Sequence, residues 1–503
     1  MDACQHNAQM AQPERHFAEL ERRLAEVEAD NRRLRADNQR LQAAVRRLTE
    51  RLAQYEPEIR QETARPDTDS TRPSDYGLEG ETKRRQRRSR RRKKKSPGRR
   101  PTELKFTDAH HYEDVYPPDA RHRDCTLARE RAVWRLENGR AVLVGYRIFA
   151  GPDGEEPRIA GVTPRCEYGI EILVTLAFLV YIIGISLGKA CQVLGFFCQL
   201  PLSRSQADAL LRQLAQHWDG EFDLLCGLIA HAAVVYMDET GWKMGREGCS
   251  LWAFASKLQR VFLFGCRKDD ATLDQMLPPE VFDGIGVSDD AAVYQGRFAQ
   301  AQKCWAHLLR KVIKLTLLYP RNRKYRRFLD RLLQLYYDAK RAAADGRLCQ
   351  EGREQRVADL EGRLCALCEP YWRYGDEAPP GTKPHERDFI NLVNELMRLL
   401  MAEELFTFVL EPEVEPTNNG MERQLRSPAQ DRKAGRTSQT AAGAHRRSVI
   451  VSVLESLRAN LETFSLASVL EEVGRWINEG ISLFAQQWQA LMADKSTAIP
   501  NTS

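Results

Sequence analysis

Two short apolar runs each lead into an aspartate, and that pairing limits what the chain can fold into. Val234-Val235-Tyr236-Met237 precedes Asp238, and Ile285-Gly286-Val287-Ser288 precedes Asp289. Runs of this length and composition read as buried strands. Glu422 follows Asn418-Asn419 in a stretch that reads as helix. Two strand ends and a helix that present carboxylates to one point suit a pair of Mg²⁺ ions, which need hard anionic oxygens held rigidly. Such a site also stays open to a phosphate. The expected chemistry is phosphoryl transfer on DNA.

At 503 residues the chain exceeds one ordinary core, so two to four domains are expected, and 42% apolar residues suffice to bury them. Net charge is only +6, but it is segregated. Thirteen cations crowd into residues 83–100 with no acid among them: Lys83, Arg84, Arg85, Arg87, Arg88, Arg90, Arg91, Arg92, Lys93, Lys94, Lys95, Arg99 and Arg100. The remainder is therefore about seven units negative, and DNA binding is assigned to this tract, where each cation that meets a phosphate releases counterion without reading sequence. Twelve scattered cysteines and no evident signal peptide fit reduced thiols in a cytoplasmic, nucleoid-associated protein. The apolar run 172–187 is short for a bilayer span and reads as a buried helix, so no membrane partner is expected.

Between residues 14 and 56 apolar side chains recur at three and four residues, from Phe17, Leu20, Leu24 and Val27 to Leu52 and Tyr55. With Phe17 at heptad position a, Asn31 and Asn38 also fall at a, which favours a parallel coiled-coil dimer in fixed register. Residues 57–102 lack periodicity and read as a disordered basic linker. Residues 103–165 read as a small mixed domain, with a hairpin of 131–136 and 140–149 across Asn138-Gly139. Residues 166–230 read as helical, including 187–197 and a helix from 207 to 218 capped by Ser203 or Ser205, an arrangement open to a helix-turn-helix.

The stretch 234–289 reads as a meander of strands with one helix near 271–277, and a ribonuclease-H-like core places one carboxylate on its first strand and another after its fourth. Asp238-Glu239-Thr240-Gly241-Trp242, Ser288-Asp289 with Tyr294, Cys304-Trp305-Ala306-His307 with Arg310, and Asn418-Asn419 with Glu422-Arg423 and Leu425-Arg426 resemble the successive signatures of DDE transposases of the insertion sequence 66 family. Arg432-Lys433 is similar too. The resemblance covers about 166–460 and implies that Asp238, Asp289 and Glu422 are the metal-binding catalytic triad. It implies two Mg²⁺ ions, with Mn²⁺ as a substitute. It also implies a core over 231–298 and 411–460, a helical insertion over 299–410, and a helical tail over 461–503.

On its strand Glu239 should point to the face opposite Asp238. Arg426, four residues after Glu422 on a helix, should share its face and steady the carboxylate or a phosphate. Cys304 and His307 have ligand spacing, and Cys365 with Cys368 would complete a zinc site if the insertion folded back. Packing explains all four as well, so zinc is doubtful. Residues 103–166 offer His110, His111, His122, Cys125 and Cys166 without a Cys-x-x-Cys pair.

The expectation is a multidomain α+β chain: N-terminal coiled coil, small mixed domain, helical DNA-binding region, and ribonuclease-H-like α/β catalytic core with a helical insertion. Its expected work is to bind terminal inverted repeats, cut 3′ ends and join them to target DNA as a homodimer or higher assembly, with small accessory transposition proteins left open as partners. The competing readings are an inactive or host-adopted DNA-binding descendant and a coiled-coil DNA-binding regulator.

Overall fold

The computed structural model describes residues 101–245, 247–373 and 382–497. The expected coiled coil over 14–56 and the basic tract over 83–100 lie outside the described residues.

Helix α1 (Thr102–Thr107) and strands β1 (His111–Val115), β2 (Thr126–Glu137) and β3 (Arg140–Ala150) come first. The strands form a sheet in the order β1-β3-β2, with β1 parallel and β2 antiparallel to β3. The hairpin turns at Asn138 (φ 48°) and Gly139 (φ 78°), the pair of positive φ angles that a two-residue hairpin loop demands and that Asn-Gly adopts with little strain.

Next come α2 (Ile170–Ala177), α3 (Leu187–Phe197) and α4 (Arg204–Ala230). The apolar run 172–187 is not one helix. Helix α2 passes into a π-helical turn at Phe178–Ile182, Gly184 takes a positive φ of 75°, and Ser186 caps α3. Ser203 caps α4 in a reciprocal box with Gln206, satisfying amides that a helix start leaves without partners.

The second sheet holds β4 (Val234–Met244), β5 (Glu247–Ala255), β6 (Arg260–Cys266), β7 (Ile285–Ser288) and β8 (Gln300–Lys303), with α5 (Asp270–Met276) between β6 and β7. Its order is β6-β5-β4-β7-β8; the first three strands are mutually antiparallel, and β4, β7 and β8 run parallel. Strand β8 differs from the expectation that 299–410 is wholly helical. Gln-Ala-Gln-Lys carries no apolar alternation, and it becomes a strand because the edge of β7 takes up its backbone.

Five helices follow β8: α6 (Trp305–Leu318), α7 (Arg323–Ala344), α8 (Gln350–Cys368), α9 (Pro384–Met401) and α10 (Thr407–Leu410). Their apolar faces make one core with Ile285 and Val287 of β7. Helices α11 (Asn419–Lys433), α12 (Ala441–Asn460), α13 (Leu466–Asn478) and α14 (Leu483–Thr497) complete the described chain. Val235 and Met237 of β4 belong to the other large core, with α2, α4 and α12, whereas Val234 and Tyr236 pack on the insertion core. The period of two in a strand thus assigns alternate residues to opposite faces of the sheet.

Strand β6 is an edge, and α12 covers it. The hydroxyls of Ser456, Ser452 and Ser448 accept from the amides of Arg260, Phe262 and Phe264 at 2.9, 2.8 and 2.9 Å. Four residues of helix rise about 6 Å and two residues of strand about 6.6 Å, so a serine at every fourth helix position meets every second strand amide. The edge is closed to further pairing in this way. No described helix is long and apolar enough to cross a membrane.

Candidate active site

Strand parity decides where the acids go. Asp238 continues the series Val234 and Tyr236, and Asp289 continues Ile285 and Val287, so both carboxylates belong to the face that carries the insertion. Asp238 does not end its strand, contrary to the sequence expectation: β4 runs on to Met244, paired with β5. What ends beside Asp238 is the parallel pairing with β7, whose last pair is Tyr236 with Val287. Asp289 follows β7 directly, and its Oδ1 accepts from the Ala291 amide at 3.0 Å.

Glu422 comes from the first turn of α11. Asn418, almost wholly buried just before that helix, donates from Nδ2 to the Met237 carbonyl at 2.6 Å, and its amide donates to Cys304 Sγ at 3.1 Å. The Cys304 amide in turn donates to the Ser288 carbonyl at 2.9 Å. Met237 and Ser288 immediately precede the two aspartates, so one chain of hydrogen bonds ties the backbone of both strands to the start of α11. Burial, with the added charges of Glu239, Asp289 and Glu422, pushes the Asp238 carboxyl up to about 7. Glu239 contributes the most among those charges, and among the described residues Asp238, Asp289 and Glu422 do not form a group whose ligand atoms all lie within 4.8 Å of one another.

Glu422 Oε1 accepts from Arg310 at 2.6 Å, and His307 Nε2 lies 3.7 Å away. Both partners stand on α6. Among the described residues Arg426 is exposed and makes no hydrogen bond or ion pair, so of its two expected partners it does not meet the Glu422 carboxylate, and a phosphate stays open to it. A helix spacing of four allowed the contact, but Arg310 reaches Glu422 from another element.

Glu239 lies on the opposite face and is held by Tyr294 and Lys268, which both donate to its carboxylate. Sequence reasoning missed Lys268, because nothing local links it to a residue 29 positions earlier. Asp290 pairs with Arg398 of α9. Lys303, fully buried on β8, points its ammonium at Ser288 Oγ (3.3 Å) and the Tyr294 carbonyl (3.4 Å), and burial lowers its pKa. A cavity of about 210 Å³ opens beside Asp289, lined also by Asp290, Lys303, His307, Lys311 and Glu395.

The four-ligand zinc arrangement does not form among the described residues. Cys304 and His307 instead group with Glu422, their ligand atoms lying within 4.8 Å of one another, and Cys365 and Cys368 join no such group. Burial raises the Cys304 thiol, partly offset by the amides of Asn418, His307 and Ala306, which suits a hydrogen-bonded link better than a thiolate ligand. In the small sheet His111 groups with Glu113 and Glu137.

A family model described as Transposase IS66 family matches residues 165–446. The chain belongs to this family. The matched span contains both strands, α6 and α11, so every residue that surrounds Asp238 lies in the part of the chain shared by IS66-family transposases. No curated protein matches the chain.

Proposed function

We propose that this IS66-family transposase cuts and joins DNA with Asp238, Asp289 and Glu422 as its metal-holding triad. The observation that carries the proposal is the hydrogen-bonded tie, through Asn418 and Cys304, of the start of α11 to the strand residues just before Asp238 and Asp289, beside which burial and neighbouring acids raise Asp238 to about 7. A cluster that repels itself fits a divalent cation, and its all-oxygen donors favour Mg²⁺ or Mn²⁺. The strand order β6-β5-β4-β7-β8 supports a ribonuclease-H-like reading of the core, with the first acid on the first strand and the second after the fourth.

When bound, two such ions supply activation of the attacking water or 3′-hydroxyl and stabilisation of the leaving oxygen in an in-line displacement at phosphorus. The chain contributes position. Asn418 and Cys304 fix the two strands against α11, Arg310 and His307 orient Glu422, and Lys268 with Tyr294 holds the Glu239 carboxylate. No covalent intermediate with the protein is required. The basic tract 83–100 and the coiled coil 14–56 supply DNA affinity and dimerisation in this reading, with the element's inverted repeats as substrate.

The test is cleavage of duplexes carrying the gene's own flanking ends, with Mg²⁺ or Mn²⁺, by the wild type and Asp289→Ala. Metal-dependent nicks at the ends that vanish in the variant are expected. Binding with no wild-type cleavage would instead favour an inactive DNA-binding descendant.

A further inference from the structure

Resting on the transposase reading, we infer that the outward face of α6 and the turn into α7 form a docking surface for the phosphate backbone of duplex DNA flanking the cut. From Arg310 to Arg331 the chain carries nine Lys or Arg and one acid, Asp330. Eight of the nine sit on helices α6 and α7.

Helix α6 buries Trp305, Leu308, Leu309, Val312 and Leu315 in the insertion core. His307, Arg310 and Lys314 therefore share the opposite face. Arg310 touches Glu422 at the triad, and Lys314 lies one turn, about 6 Å, further along. Arg321, Arg323 and Arg327 follow around the start of α7, where the helix adds partial positive charge.

Lys314, Arg321, Arg323 and Arg327 are exposed, and among the described residues no hydrogen bond or ion pair holds them. Their neighbours are engaged: Lys311 pairs with Glu395, Arg326 with Asp330, and Lys324 lies 4.8 Å from the Phe389 ring centre. Four exposed cations without an acidic partner, on α6 and around the start of α7, are groups that a row of phosphates can pair with. The stripe starts at the triad, and the 14 residues of α6 span about 21 Å, roughly six base pairs at 3.4 Å each. A scissile phosphate at the triad would lead its flank onto the stripe.

The experiment uses the full chain and fluorescence anisotropy of a duplex bearing the gene's flanking ends, between about 50 and 200 mM salt. The quadruple variant Lys314→Ala, Arg321→Ala, Arg323→Ala, Arg327→Ala is expected to bind more weakly, with a log-affinity against log-salt slope shallower by about 3 to 4. A charge-keeping variant, Arg321→Lys, Arg323→Lys, Arg327→Lys, should restore the slope, and neutralisation to Gln gives a second loss-of-charge protein should the alanine set fold poorly. A wild-type slope in either folded neutral variant overturns the inference. So does an unchanged slope with an altered oligomeric state, which would assign the face to a second copy through the exposed Leu317 and Leu318 between the cations. Wild-type cleavage reports on the triad and the slope difference on the stripe, so the two readings fail separately.

Discussion

Helix α11 carries a carboxylate near each end, and the surroundings of the two are opposite. Glu422 lies near another acid: its charge helps to raise Asp238, and its partners are one half-exposed arginine and a histidine at 3.7 Å. Asp431 is buried and saturated, with Arg436 bonding one oxygen at 2.9 Å and Arg447 bonding the other. Arg447 in turn stacks over the rings of Trp242 and Phe264, at 5.0 and 5.1 Å from their centres. One end of the helix is electrostatically complete without help. The other lies where neighbouring acids raise Asp238, held in place through Asn418 and Cys304, and under the proposed function it is the end that a cation would complete.

The strongest attack on that contrast is to remove an acid at each end. Asp238→Ala, Asp289→Ala or Glu422→Ala should lower cleavage by about 10³-fold or more, the equivalent of several kcal/mol of transition-state stabilisation, while DNA binding and folding persist. Wild-type turnover in any of the three would remove that residue from the triad. Asp431→Ala should act on the fold instead, at about 3–5 kcal/mol by chemical denaturation, because Arg447 is left buried without its partner. A near-neutral result would show that the pair is dispensable.

Metal and pH sharpen the comparison. The folded-state pKa of Asp238 is raised, so the native state holds that proton more tightly than the unfolded chain does. Its contribution to stability is full below the ordinary carboxylate range and is lost as pH rises to about 7. The metal-free protein should therefore melt at lower temperature at pH 8 than at pH 5.5, and Asp289→Asn should reduce that difference by removing a neighbouring charge. Mg²⁺ should raise the melting temperature more at pH 8 than at pH 6, where protons compete for the site. Equal metal shifts at both values would place the ion elsewhere. The smallest effect belongs to the covered edge: Ser452→Ala leaves the buried Phe262 amide unpaired and should cost about 1–3 kcal/mol, with cleavage unchanged once folding is corrected for.

Much of this was legible in local pattern. The Asn138-Gly139 hairpin, the cap at Ser203 and the apolar strands before Asp238 and Asp289 follow from turn chemistry, capping and composition over a few residues. Strand β8 was not legible, because its polar residues become a strand only when β7 offers an edge. The partner of Glu422 was not legible either: Arg426 had the right spacing, but Arg310, 112 positions away, had the right place. The serine spacing of 448, 452 and 456 is visible in the chain, but its meaning depends on β6 lying beside it.

The sequence by itself determined which residues can form strands and helices and which acids could hold a cation, because backbone preference and side-chain chemistry are local properties. Only the tertiary structure decided that Asp238 and Asp289 fall on one face of one sheet with the start of α11 tied to both strands, and that Arg310 rather than Arg426 stands against Glu422. Convergence depends on the parity of two strands and on hydrogen bonds that span more than a hundred residues, and no local preference encodes either.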